Sequence, residues 1–163
     1  MEDLIVDAIR EAILTEKNSF EFYRCAAETV ADERTRQVFE LLASEEIEHA
    51  NAFLKLYSGN EFDDLPSLMK KPYDRNDPVN RELLEAVDKD MTEEHALKIS
   101  LREEQSCIDR YTTLVATIRD PKVNEVFARA LSETRKHYEV IQEEYMRVMT
   151  MIDRSDQDIY VRE

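Results

Sequence analysis

A chain of 163 residues with one glycine, four prolines and 36% charged residues suits a single domain with a full core, built from long helices joined by few tight turns. Its 37 acidic against 22 basic side chains give a formal charge of −15, a surface that repels nucleic acid and anionic membranes and gathers cations. Two cysteines without C-x-x-C spacing exclude a disulfide framework and a four-cysteine metal site, and no apolar run reaches membrane-spanning length.

Met-Glu-Asp at the start is not the basic region and apolar run of a secretory signal, so a reducing cytoplasm is the expected compartment. Apolar residues then recur at three- and four-residue spacing through four long segments. The first helix is predicted from about Asp3 to Val30, with a stripe of Ile9, Ile13, Phe20, Tyr23, Ala27 and Val30. The second runs from about Glu33 to Tyr57 and carries Val38, Leu42, Phe53 and Leu56. Gly59 falls where a left-handed C-terminal cap is expected. Thr92 is the expected N-cap of a third helix reaching about Ile118, and Asp120-Pro121 reads as N-cap and first residue of a fourth, which reaches about Ile152. Short turns near Ala31 to Arg34 and Arg119 to Pro121 make each half an antiparallel helix pair. Residues 58–91, with Pro66, Pro72 and Pro78, form a crossover long enough to return along a bundle of about 35–40 Å, with a short helix expected from Asn80 to Asp88. The fold class is therefore all-α, a four-helix bundle of two repeated hairpins over residues 1–153, followed by a polar tail at 154–163.

The two hairpins repeat one arrangement at a fixed offset. Glu16, Tyr23, Phe39, Ser44-Glu45-Glu46 and His49 return as Glu104, Tyr111, Phe127, Ser132-Glu133-Thr134 and His137. Glu16, Glu46, His49, Glu104 and His137 interrupt apolar stripes and point toward the bundle axis, where packing would favour leucine. Burying an unpaired carboxylate costs several kcal/mol, and like charges brought together make it worse. A divalent ion resolves the conflict by neutralising the acids and taking the lone pair of a neutral imidazole. Glu46 and His49, three apart, lie on one helix face and can approach one ion together. Tyr23 and Tyr111 stand two turns from Glu16 and Glu104, where each phenol can orient a ligand carboxylate of its own or the other hairpin. The exception is Thr134, which stands where the first half has Glu46.

At these positions the chain resembles a rubrerythrin-like member of the ferritin-like diiron carboxylate proteins. The likeness lies in the stretch from Glu16 to Tyr23, in Phe39 through Ala50 and in the histidine of the fourth helix, and it covers about Ile5 to Met149. It implies two irons bridged by one glutamate from each hairpin, with Glu16, Glu46, His49, Glu104 and His137 as ligands. Glu46 and Glu104 are then the expected bridging and catalytic groups, with Glu16 an alternative to Glu46. Thr134 breaks the implied pattern, so the second iron, nearest His137 and Glu104, is expected to bind more weakly. Glu133 and Cys107 are minor further candidates as ligands.

The expected activity is reduction of peroxide or dioxygen, with electrons from a separate donor protein, since rubredoxin-type cysteines are missing. Iron storage with ferroxidase activity is an alternative, and a metal-depleted helical interaction module is another. Carboxylate and imidazole ligands also suit manganese or zinc. A homodimer paired through a helix face is expected, with no nucleic acid or membrane as partner.

Overall fold

In a computed structural model of the chain, residues 2–72, 83, 85, 86 and 91–161 are described, with side chains to residue 155. All regular structure among them is helical. The helices are α1 (Glu2–Thr29), α2 (Glu33–Leu56), α3 (Leu65–Lys70), α4 (Glu93–Thr117) and α5 (Pro121–Val161). Helix α1 packs on α2, α4 packs on α5, and the two hairpins approach most closely where α2 faces α5.

The helix starts follow from local chemistry. Asp32 accepts from the Thr35 backbone N–H at 3.0 Å, Thr92 from that of His95 at 3.1 Å, and Asp120 from those of Lys122 and Val123 at 3.0 and 3.2 Å. Each such cap satisfies an orphan donor and contributes about 1 kcal/mol. At the second turn, the Asn124 side-chain amide donates to the Val115 and Ile118 carbonyls at 2.7 and 2.9 Å, closing the end of α4.

Two expectations change and one element is added. Gly59 is not a left-handed cap: α2 ends at Tyr57 in extended backbone (φ −71°, ψ 121°), and a Cβ on Gly59 would collide with the Tyr57 ring. The expected tail is helical to Val161, because no proline or glycine follows Pro121 to stop the helix. Helix α3 was hidden in the crossover, although Asp64 caps it through the Ser67 N–H at 2.9 Å and Pro66 opens it. The helix expected over Asn80 to Asp88 lies mostly outside the described residues; Leu83, Glu85 and Ala86 are helical, and Leu83 and Ala86 are buried.

Two apolar clusters form the core. One centres on Phe22, Tyr23, Phe39, Leu97 and Ile141, the other on Ile13, Phe53, Tyr111 and Phe127. Their rings interlock: Tyr23 stacks on Phe39 with centroids 5.9 Å apart, and Phe53 meets Phe127 at 4.8 Å. Between the clusters lies a buried polar layer, and it positions the site.

Candidate metal centre

Each helix of the two hairpins sends an acid into that layer except α5, which sends His137 alone, and α2 adds His49 to its acid. Glu16 follows Ile9 and Ile13 on the buried stripe of α1, and Glu104 follows Leu97 on that of α4. On α2, Glu46 and His49 lie one turn apart between Leu42 and Phe53. Glu16, Glu46, His49, Glu104 and His137 are each at most 5% exposed.

Their donor atoms converge in two groups. Glu16, Glu46 and His49 offer three atoms within 4.8 Å of one another, and so do Glu46, Glu104 and His137. Glu46 alone belongs to both. Its Oε1 lies 3.9 Å from His49 Nδ1 and 3.0 Å from His137 Nδ1, while Glu16 lies 3.4 Å from His49 Nδ1 and Glu104 3.8 Å from His137 Nδ1. Glu104, expected as a second bridge, touches only the His137 group. The two imidazole rings stack at 5.4 Å.

Both inward nitrogens, His49 Nδ1 and His137 Nδ1, are buried without a hydrogen-bond partner. Buried orphan nitrogens are rare, because each forfeits its hydration. Their outward nitrogens are tied down crosswise: His49 Nε2 meets Glu133 of the other hairpin, and His137 Nε2 meets Glu45. A histidine anchored through one nitrogen presents the other to a cation in a fixed orientation. The phenols cross in the same way. Tyr111 donates to Glu16 Oε1 at 2.6 Å, and Tyr23 donates to Glu104. Each tyrosine therefore serves the other hairpin's acid, settling which of the two partners it takes.

Protonation shows how crowded this layer is. Burial pushes the Glu16 carboxyl up, but the Glu46 carboxyl, the positive His49 ring and the Tyr111 phenol together outweigh burial and hold it at about 2. Burial and the Glu16 charge push Glu46 well above the carboxylate range. Burial pulls both imidazoles down; Glu16 and Glu46 carry His49 up to about 10, and Glu104 and Glu45 carry His137 up to about 9. Burial followed by the charge of Glu104 raises Tyr23 well above its ordinary value, and burial followed by Glu16 does the same for Tyr111. Protons thus occupy a constellation of three carboxylates and two imidazoles that divalent cations of the iron, manganese or zinc type would fit.

Thr134 lies in the same layer, 2% exposed, with its hydroxyl donating to the Ala130 carbonyl at 2.7 Å, a common habit of threonine inside a helix. Glu133 is in neither group; its half-exposed carboxylate sits on the far nitrogen of His49. Cys107 is also in neither group. It is buried in the Tyr111–Phe127 cluster, where burial and Glu104 push its thiol well above the usual range.

Sequence reasoning passed over two features. Glu45 carries no role in the sequence reading beyond its place in the repeat, yet its return as Glu133 at the same offset marks a paired role. Glu144, only 2% exposed, also escaped notice. It accepts from Thr35 Oγ1 at 2.9 Å and Arg147 Nε at 3.0 Å, and Arg147 reaches on to Asp32 at 2.7 Å. That network locks α5 to the start of α2.

Two hairpins with a carboxylate–histidine layer between them define a ferritin-like bundle, the fold of the diiron carboxylate proteins. The rubrerythrin family profile matches residues 7–145, a span holding every residue of the layer, and the chain belongs to the rubrerythrin family. Comparison with curated proteins gives no match, and comparison with solved structures gives none. Among the described residues no helix is long and apolar enough to cross a membrane.

Proposed function

We propose that the chain holds two iron ions between its hairpins and reduces peroxide or dioxygen there, with electrons delivered by a separate protein. The observation that carries this reading is Glu46, the one carboxylate common to both donor groups. In this reading Glu46 would help to hold both ions, Glu16 and His49 would hold one, and Glu104 and His137 would hold the other. Two ferrous ions so held supply two electrons to an oxidant.

The remaining residues hold and shield the site. Glu133 and Glu45 fix the imidazole rings, and Tyr111 and Tyr23 fix the Glu16 and Glu104 carboxylates. Because both phenols are held protonated, they remain donors throughout the working pH range. The aromatic clusters on either side exclude bulk water, which strengthens each electrostatic contact within. A groove between α2 and α5, lined by Glu45, Glu133 and His137, gives a small oxidant a path to the layer. Conversion of peroxide to two waters consumes two electrons and two protons, and the electrons return from the donor protein. A second copy pairing through a helix face completes the proposal, and manganese or zinc would fit the same donors.

The test is anaerobic mixing of ferrous-loaded protein with hydrogen peroxide in a stopped-flow spectrophotometer. Two ferrous ions are oxidised per peroxide, and Glu46→Ala abolishes the reaction. Absence of oxidation, or oxidation undiminished in Glu46→Ala, would overturn the reading.

A further inference from the structure

Among the acids, phenols and imidazoles of the polar layer and their outer partners, the internal repeat is broken at one pair. Glu16 and Glu104, Tyr23 and Tyr111, Glu45 and Glu133, and His49 and His137 correspond in position, and their contacts correspond as well. Tyr23 serves Glu104 as Tyr111 serves Glu16, and Glu133 holds His49 as Glu45 holds His137. Only Glu46 has no counterpart, because Thr134 stands in its place. Thr134 is buried in the same layer, and its hydroxyl proton is committed to Ala130, so it brings no anionic oxygen. What this half lacks, relative to the other, is one carboxylate group.

Both halves offer an imidazole nitrogen: His137 Nδ1 and His49 Nδ1 are each buried without a hydrogen-bond partner. Glu46, the one shared acid, stands closer to His137 than to His49, at 3.0 against 3.9 Å. Charge adds to this. Two divalent ions bring four positive charges, while Glu16, Glu46 and Glu104 bring three negative ones. Glu45 and Glu133 are half-exposed and touch only the outer nitrogens of the rings. One positive charge is left over in a buried layer, where it is poorly screened.

We infer that the loaded site takes up a small exogenous carboxylate, of the formate or acetate class, as its fourth anion on the Thr134 side, beside Glu104 and His137. The inference rests on the two-ion reading above. A threonine in place of a glutamate removes a carboxylate and nothing else that binds a cation, and formate is that group as a free molecule. The α2–α5 groove leads to His137 past Lys136, Glu45, Glu48 and Glu133, so the attraction for an anion comes from the uncompensated charge of the ions and not from the groove lining.

The test uses the whole protein, cobalt(II) as a visible probe, and a buffer free of carboxylates. Calorimetry and absorption follow cobalt binding with and without millimolar formate. Formate tightens the second cobalt ion at least tenfold, about 1.4 kcal/mol, and shifts the visible bands. Thr134→Glu binds two cobalt ions tightly without formate and shows no formate response, while Thr134→Val keeps the wild-type response. Two ions bound equally well with and without formate, the bands unmoved, would overturn the inference and leave the two-ion reading standing. Fewer than two ions bound even with formate would overturn both. The wild-type and Thr134→Val titrations decide the matter even where Thr134→Glu does not fold.

Discussion

Glu46→Gln separates a shared ligand from the unshared ones. The amide is nearly the same size as the carboxyl it replaces, and that carboxyl holds its proton in the metal-free layer. Metal-free stability should therefore change by no more than about 1 kcal/mol. The loaded protein behaves differently. Free metal at one hundred times the dissociation constant stabilises by about 2.7 kcal/mol per site, so two sites contribute about 5 kcal/mol. For a chain of this length each kcal/mol moves the melting temperature by about 2–4 °C, and ferrous loading of the wild type should raise it by about 10–20 °C. Glu46 belongs to both donor groups, whereas Glu16 and Glu104 belong to one each. Glu46→Gln should consequently lose most of the increment, and Glu16→Gln or Glu104→Gln about half. Anaerobic differential scanning calorimetry with and without ferrous ion reads the difference. Retention of the full increment in Glu46→Gln, or complete loss in Glu16→Gln, would refute the shared-ligand geometry.

The outer carboxylates give a crosswise signature: Glu133→Gln should weaken the ion at His49, and Glu45→Gln the ion at His137, each about 10- to 100-fold. Metal titration of each variant combined with the corresponding histidine substitution checks the pairing, and a same-hairpin pattern would count against it. Metal-free stability should depend on pH through the imidazoles. With folded values of about 10 and 9, above the ordinary value, their contribution is full below about pH 6.5 and is lost as pH rises through 9 to 10. The depressed Glu16 carboxyl, at about 2, acts in the opposite sense: its contribution is present above its ordinary value and disappears as pH falls through 2. Urea unfolding at pH 6.5, 8 and 10 should show the imidazole loss, and a flat profile would contradict it. Metal affinity should instead rise over that range, because bound ions displace protons. Glu144→Ala leaves Thr35 without its buried acceptor and Arg147 with Asp32 as its remaining acid partner, and should cost about 1–2 kcal/mol in the same unfolding assay, whereas an unchanged midpoint would show the network to be inert.

The four long helices were legible because their stripes, caps and turn residues agreed. Asp32, Thr92 and Asp120 cap as their neighbours in sequence require. The candidate ligands were legible for the opposite reason, since Glu16, Glu46 and His49 violate the stripes they sit in. What stayed hidden depends on how helices face each other. A stripe through Phe20 and Val38 was expected, yet Phe22 and Phe39 are the fully buried residues, because each helix packs against neighbours on two sides. The partner of each tyrosine, the role of Glu45 and the burial of Glu144 likewise require the placement of a second helix. Helix α3 is six residues long, too short for a periodic pattern, and only its cap and proline announced it.

The central claim is that two ions share Glu46 between His49 and His137. Anomalous X-ray scattering at the iron edge from anaerobically loaded crystals tests it most directly. Two peaks should appear in the polar layer, one bound by His49 Nδ1 and the other by His137 Nδ1, with Glu46 touching both. A single peak, or iron bound through the outer Nε2 atoms beside Glu45 and Glu133, would contradict it.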